Sequence, residues 1–461
     1  MTKRLLAYAT YLPHYRLTRG TINAALTGIP RGSGARTVAG YDEDTVSMAV
    51  EAIRALGAGV READHLYFAT TNSPLLDKSC SLIVHAASGM HGRAFALDLT
   101  GLRSGFGALK TASESGGVAA AADLRTGRPG SAEEVDGGDG AAAFLFGDGD
   151  DAIAEVLGSA SVPEEVMDAW RTPGSSYALT GEDRFVDHVL AQAVQEVVTE
   201  IGKRSGHTET PTTSVVSTLN RRLARSLRTS IGSEGGSEAQ DAHRENTGYC
   251  GAADLGLLLA SALDTAKAGD TILVVSAGGG ADALLLRVLK DGPFAGDRRP
   301  DRAGREIGYH QYLTWRGLVA REPARRPERP SVAPPPAYRN SAWKFGLMGS
   351  QCLECGKVYL PPARVCACGA VDQTRPFSIS DLTGTIVTQT TDGVSDSPAP
   401  PALAALIDFG TTGRLLLELT DASPADVADG AEVEMTFRRT YAVDDVPNYF
   451  WKARPKDRSL Q

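Results

Sequence analysis

The first 290 residues alternate two spacings of apolar positions. Residues 5–12 and 65–70 read as strands, and between them residues 44–56 carry apolar side chains at helical spacing. The series continues with a strand at 94–99, a small-residue-rich helix at 104–122, and a buried strand at 141–146 that ends at the turn signals around Gly147. A helix at 187–201, a strand at 214–219, a long apolar helix at 252–266 and a strand at 271–277 complete it, the last running into Gly278-Gly279-Gly280. The two halves share an element order, which predicts a duplicated α/β layered domain.

After residue 290 the pattern stops. Residues 291–338 are rich in Arg, Pro and Gly and end near Pro334-Pro335-Pro336, the composition of a semi-rigid connector. An apolar island at 309–319 predicts that part of this connector packs on a folded core. Beyond it, short strand-like runs at 384–390, 402–409, 414–419 and 432–438 are separated by Gly and Asp, the spacing of a small β-barrel. The expected division is 1–290, 291–338, 339–375 and 376–455, with a cysteine cluster in the third segment.

Composition narrows the function classes. A chain of 461 residues exceeds one ordinary core. Its net charge of −9 gives no footprint for nucleic acid, and the Arg-rich stretch between Arg298 and Arg329 is broken by Pro and Asp. No run approaches the about 20 apolar residues of a membrane span. Residues 1–15 lack the apolar core and cleavage site of a signal peptide. A cytoplasmic protein that engages neither membrane nor nucleic acid is expected.

Four of the six cysteines fall within seventeen positions, as Cys352-Leu-Glu-Cys355-Gly and Cys366-Ala-Cys368-Gly. Each knuckle offers two thiolates, and the glycines let the backbone turn so that both sulfurs face one point. Four thiolates with no neighbouring open position predict a closed, structural Zn2+ site. The alternative, free or disulfide-linked cysteines, is disfavoured in a reducing compartment. The second knuckle has one intervening residue where two are usual.

Two resemblances follow from longer motifs. Trp343-Lys344-Phe345, Pro361-Pro362-Ala363-Arg364-Val365-Cys366 and Gly384-Thr385-Ile386, extending through Trp451-Lys452, resemble the small zinc-ribbon plus OB-fold proteins that partner thiolases. That likeness implies that the OB-fold barrel binds or escorts the CoA portion of a substrate. Ala96-Leu97-Asp98-Leu99-Thr100-Gly101-Leu102-Arg103-Ser104-Gly105-Phe106 follows a strand-to-helix turn, and three glycine landmarks come after it in order. These are Gly147-Asp148-Gly149, Gly248-Tyr249-Cys250-Gly251 and Ser276-Ala277-Gly278-Gly279-Gly280-Ala281-Asp282. Together they resemble the ketoacyl synthase III and HMG-CoA synthase branch of the thiolase superfamily. The resemblance implies a catalytic domain at 1–290 acting on acyl-CoA, Gly279 and Asn220 toward the CoA part of the substrate, and a homodimer.

In that family the nucleophile is a cysteine at a buried helix N-terminus, where the helix dipole lowers the thiol pKa. The matching residue here is Arg103, which cannot form an acyl-enzyme. The family's histidine and asparagine positions match Ser217 and Tyr249. Arg103 needs an anion opposite it, either an internal carboxylate or a substrate carboxylate or enolate. Tyr249 either fills space or, with its pKa lowered by Arg103, serves as acid/base in an aldol or retro-aldol step. Cys250 is either a relocated nucleophile or a small core thiol. Three functions stay open: a CoA-thioester lyase or condensing enzyme without an acyl-cysteine, an acyltransferase or ketosynthase-like enzyme using Cys250 or direct attack, and a non-catalytic acyl-CoA scaffold.

Overall fold

The computed structural model describes residues 2–233, 235–293, 304–322 and 329–456, so much of the expected Arg-rich connector lies outside the described residues. Nine strands form one sheet: β1 Arg4–Tyr11, β2 His65–Thr70, β3 Phe95–Thr100, β4 Gly117–Leu124, β5 Asp139–Gly147, β6 Ala154–Pro163, β7 Thr213–Ser217, β8 Thr271–Ala277 and β9 Gly280–Val288. Their spatial order is β7-β8-β9-β6-β1-β5-β4-β2-β3. Outward from the middle, both halves follow one scheme. β1 is antiparallel to β5, β5 antiparallel to β4, and β4 parallel to β2. In the same way β6 is antiparallel to β9, β9 antiparallel to β8, and β8 parallel to β7. The halves meet at a single residue pair, Leu5 opposite Ala154. This is the duplicated layering that the repeated element order predicts.

The helices used below are α1 Thr45–Arg54, α2 Ser104–Ser115, α3 Asp183–Ser205, α4 Arg221–Ile231 and α5 Asp254–Thr265. α2 and α5 share one core with strands of both halves: Phe106 and Leu109 pack with Leu257, Leu258, Phe144 and Val274. A Cβ on Gly105 would stand 2.0 Å from the Ala252 carbonyl oxygen, so α2 reaches the turn before α5 only because that position is glycine. The helix predicted over 104–122 is corrected: it stops at Ser115, and the alanine run becomes β4. Gly116 and Gly117, with φ of +84° and +102°, break the helix, and the small side chains beyond them suit a strand buried on both faces.

The C-terminal part holds two small units. Three strands, Met348–Cys352, Val358–Tyr359 and Thr374–Ser378, carry the cysteine cluster. Five more, β10 Thr383–Asp392, β11 Ala402–Asp408, β12 Arg414–Leu419, β13 Glu432–Val443 and β14 Val446–Pro455, close into a barrel in the order β10-β11-β12-β14-β13, as an OB-fold requires. In the apolar island, Tyr309, Tyr312 and Trp315 are buried against Tyr15, Leu17, Ile22 and Val38. The proline triplet near the end of the expected semi-rigid connector opens a short helix, Pro334–Arg339, where a first turn needs no backbone N–H from proline.

α1 is buried from Thr45 to Ile53, between the sheet and the barrel. Asp44 caps it, accepting from the Val46 and Ser47 amides at 3.0 Å each. The barrel is tied to this helix and its lead-in by charged groups with almost no solvent contact. Arg454 Nη2 reaches Glu51 Oε2 at 2.5 Å, Lys452 Nζ reaches Asp42 Oδ2 at 2.9 Å, and the Tyr449 hydroxyl donates to Asp44 at 2.7 Å. Among the described residues no helix is long and apolar enough to cross a membrane.

Candidate active site

The turn leaving β3 delivers Arg103 to the N-cap of α2. Its Nε and Nη2 donate to the two carboxylate oxygens of Asp282 at 2.8 and 2.6 Å, a two-pronged contact. Asp282 lies on β9 and is 2% exposed at its side chain, whereas that of Arg103 is 40% exposed. Of the two anions considered for Arg103, the internal carboxylate is the one opposite it. The β8–β9 turn packs on the arginine stem: a Cβ on Gly279 would meet Arg103 Cδ at 3.4 Å. The Gly279 amide donates to Asp168 Oδ2 at 2.7 Å, and Asp168 Oδ1 accepts from Ala169 at 2.6 Å.

Beside this pair opens a cleft of roughly 410 Å³, counted to its open mouth; Leu102, Asp168, Asp187, Asn220, Tyr249 and Gly278 lie in its wall. Tyr249 is held by its backbone, its amide donating to the Asp136 carbonyl at 2.7 Å and its carbonyl accepting from Gly138 at 2.9 Å. Two guanidiniums face its ring, Arg244 at 4.7 Å and Arg125 at 5.7 Å from the centroid. Among the described residues no protein group hydrogen-bonds its hydroxyl. Burial and then the Asp254 carboxylate push its pKa well above the usual phenol value, against the opposing pull of Arg125 and Arg244. The expectation that Arg103 lowers this pKa is therefore overturned: Arg103 is engaged with Asp282, and the phenol stays protonated.

Asn220 lies at the N-cap of α4. Its Oδ1 accepts from the Arg222 and Leu223 amides at 2.9 and 3.4 Å, which turns Nδ2 toward Asp187 Oδ2 on α3 at 2.7 Å. Ser217 and Cys250 lie one layer behind the cleft. The Ser217 hydroxyl donates to Asp254 Oδ2 at 2.6 Å, and Arg244 Nη2 meets the same oxygen at 3.0 Å. The Cys250 amide donates to Asp254 Oδ1 at 3.2 Å. Burial, followed by Asp254 and Asp139, pushes the Cys250 thiol well above its ordinary range, which favours the neutral form of this fully buried side chain.

The structure thus brings Tyr249 and Asn220 to one cleft, puts Arg103 and Gly279 together at its side, and sets Ser217 and Cys250 behind it. Asp168, Asp187, Asp254, Arg125 and Arg244 escape the sequence reading. Asp282 belongs to the glycine motif, and its position two residues past Gly280 was the one local signal available. The others are joined to their partners only by the fold.

In the ribbon, the four sulfurs of Cys352, Cys355, Cys366 and Cys368 all lie within 4.8 Å of one another. The Cys352–Cys368 and Cys355–Cys366 separations are 3.8 and 3.4 Å. A tetrahedral zinc with bonds of about 2.3 Å has sulfurs about 3.8 Å apart, so this donor set fits the metal. The Tyr359 hydroxyl donates to Cys366 Sγ at 3.3 Å, and an Arg364–Asp372 fork at 2.7 Å braces the second knuckle.

No protein-family model matches the chain. The hydroxymethylglutaryl-CoA synthase of Archaeoglobus fulgidus is 30% identical over 314 residues, covering 62% of this chain and 88% of that protein. The synthase of Methanosphaera stadtmanae is 28% identical over 309 residues, covering 62% and 87%. Among solved structures, an HMG-CoA synthase complexed with CoA superposes with a TM-score of 0.60 at 18% identity, over 68% of this chain and 90% of that one. The 3-oxoacyl-[acyl-carrier-protein] synthase III of Aquifex aeolicus gives 0.52 at 21% identity, over 62% and 100%. The solved structures share the thiolase-like fold, and the sequence relatives, matched over most of their length, place this chain in the hydroxymethylglutaryl-CoA synthase family.

Proposed function

We propose that this chain makes or breaks a carbon–carbon bond on an acyl-CoA thioester, in an aldol or Claisen sense, without an acyl-cysteine. The observation that carries the reading is the pairing of Arg103 with Asp282 at the place where the family's nucleophile is expected. A guanidinium already neutralised by a buried carboxylate is a structural wedge and offers neither a nucleophile nor a free cation. The remaining polar side chain of that motif set in the cleft wall is Tyr249, whose protonated hydroxyl is suited to donate a hydrogen bond to a thioester or enolate oxygen.

CoA enters as part of the substrate, a reading supported by the relative solved with CoA. The four cysteines hold a structural zinc, and metal analysis of the purified chain should return one zinc per chain. A homodimer is supported by the edge position of β3, where Phe95 and Leu97 are exposed on a strand whose outer edge has no neighbouring strand among the described residues.

The test combines mass and rate. Intact-mass spectrometry after incubation with acetyl-CoA and acetoacetyl-CoA should show no acyl adduct while turnover proceeds. Tyr249→Phe should lower kcat by about 10²–10³, the cost of removing one oxyanion donor. A stable adduct on Cys250, or full activity in Tyr249→Phe, would overturn the reading. Binding of acyl-CoA with no conversion would make the chain a scaffold instead.

A further inference from the structure

Apolar side chains make up much of the cleft wall: Leu102, Val186, Leu190, Leu219 and Ala277 all contribute to it. Among the described residues, none of the groups lining it is a lysine, arginine or histidine. The guanidinium at its side, that of Arg103, is already forked onto Asp282. The Asp168 carboxylate is held in another way. One of its oxygens accepts from the Gly279 amide at 2.7 Å and the other from the Ala169 amide at 2.6 Å, and among the described residues no cation pairs with either. Two backbone donors fix this carboxylate in place without neutralising it, so the cleft wall carries an uncompensated negative charge.

The place of that charge decides which part of a substrate meets it. A Cβ on Gly278 would stand 3.5 Å from Asp168 Oδ2 and 3.7 Å from Leu102 Cβ, and one on Gly279 would stand 3.4 Å from Arg103 Cδ. Asp168 therefore lies at the end of the cleft where Arg103 occupies the position of the family's nucleophile, the end that meets the acyl group of a bound thioester. A second carboxylate brought there would face a like charge between apolar walls, with less water to screen the two than in bulk solvent.

We propose that this cleft takes acyl groups that are neutral and apolar, and that Asp168 is the specificity-determining residue that turns away acyl groups ending in a carboxylate; the assignment rests on the acyl-CoA reading given above. Butyryl-CoA and succinyl-CoA carry acyl chains of equal carbon count that end in a methyl and in a carboxylate. Their CoA portions are identical and cancel in the comparison. The methyl end gains by leaving water for leucine and valine side chains, whereas the carboxylate end gives up its water with no cation to replace it.

Binding tests this without knowledge of the second substrate or of the reaction's direction, and a chain that binds without converting leaves the test intact. Calorimetry of the full-length chain should give succinyl-CoA a Kd at least about tenfold above that of butyryl-CoA, the effect of one uncompensated like-charge contact. Asp168→Asn keeps a side-chain acceptor of the same size without the charge. It should close most of the gap while butyryl-CoA binding stays near that of wild type. Added salt should also narrow the gap in wild type, which provides the second measurement if the variant does not fold. Equal binding of the two thioesters overturns the assignment, as does a gap unchanged in Asp168→Asn or, should that variant not fold, a gap unchanged by salt. Tighter binding of succinyl-CoA overturns it too, and would make Arg103 a cation available to the ligand. A wild type that binds neither thioester overturns instead the acyl-CoA reading, and the assignment falls with it.

Discussion

Charged and phenolic groups gather in two parts of this molecule, the cleft and the seam between α1 and the barrel, with opposite consequences. In the seam, Glu51 accepts from Thr436, from the Phe437 amide and from Arg454, all buried, and Arg438 is shared among Asp42, Glu43 and Asp421. In the cleft, the Tyr249 hydroxyl has no protein hydrogen-bond partner among the described residues. The seam closes its polar groups on one another and therefore holds a shape. The cleft leaves polar capacity directed at a ligand. Burial alone does not separate the two regions, since Tyr249 is also buried; what separates them is that the seam's charges face opposite charges, even though Asp421 Oδ1 and Arg438 Nε make no hydrogen bond, while the Tyr249 hydroxyl has no protein partner among the described residues.

The largest expected effect of breaking this contrast is on the seam. Glu51→Ala leaves Arg454, 1% exposed, with Glu434 at 2.7 Å as its remaining carboxylate; loss of one member of a buried pair costs about 3–5 kcal/mol, and the Glu434 bond puts this loss toward the lower end. The denaturant midpoint of the full chain should fall accordingly. A pH series sharpens the result. Burial alone would raise the Glu51 pKa, but Arg454 and then Arg438 bring it down from 4.5 to about 2. A folded pKa below the unfolded one means that the stabilisation is present above about pH 4.5 and is lost as pH falls toward 2. Glu51→Ala should lack that acid limb.

The seam also shows where sequence reading stops. Ten strands, six of the sheet and four of the barrel, the ribbon cysteines and the glycine turns are legible because hydrophobic period and local turn chemistry determine them, whereas β6 and β9 of the sheet are not read. The strand β14 is not legible in that way. In Tyr449-Phe450-Trp451-Lys452-Ala453-Arg454, polar and apolar residues alternate as for a half-exposed strand, yet Lys452 and Arg454 are both 1% exposed at their side chains. They are inward because Asp42 and Glu51, some 400 positions earlier, meet them there. The same holds at the site. The motif matches locate Arg103, Ser217 and Tyr249 along the chain, but the sign of the Tyr249 pKa shift depends on Asp254, Arg125 and Arg244, and Asn220 finds Asp187 only through the packing of α3 beside α4. The wrong helix end at 104–122 had a local cue, Gly116-Gly117, which small-residue helical composition outweighed.

A smaller effect is expected at the border of the cleft. Arg103→Ala leaves Asp282 buried without its fork, at a cost of about 1–3 kcal/mol for an unsatisfied polar group, reduced by water that enters the half-open space. If denaturation shows a loss as large as that of Glu51→Ala, the Arg103–Asp282 pair is a closed structural unit like the seam, and the cleft begins beyond it. If stability hardly changes while acetyl-CoA binding falls, Arg103 belongs to the ligand side of the contrast.

The smallest effect, and the one with inverted sign, concerns Glu43. Its Oε2 accepts from the Gly40 amide at 2.8 Å, the Tyr11 hydroxyl donates to Oε1, and Arg438 Nη2 lies 3.3 Å away while also holding Asp421 at 2.9 Å. One guanidinium nitrogen, Nη2, thus serves two carboxylates and cannot fully compensate both. Burial raises the Glu43 pKa to about 7; Arg438 pulls against that rise and Asp421 adds to it. A folded pKa above the unfolded value of 4.5 means that the folded state binds the extra proton. Stability from this group is then full below pH 4.5 and declines as pH rises through 7, the reverse of Glu51. Glu43→Gln copies the protonated form, so its midpoint at pH 8 should lie within about 1 kcal/mol of wild type, because a neutral replacement removes a buried charge without stranding Arg438. Its stability should also lack the decline between pH 4.5 and 7. A loss at pH 8 comparable to that of Glu51→Ala would mean that Glu43 is ionised and fully paired in the seam, and that this region is more completely closed than the sharing of Arg438 implies.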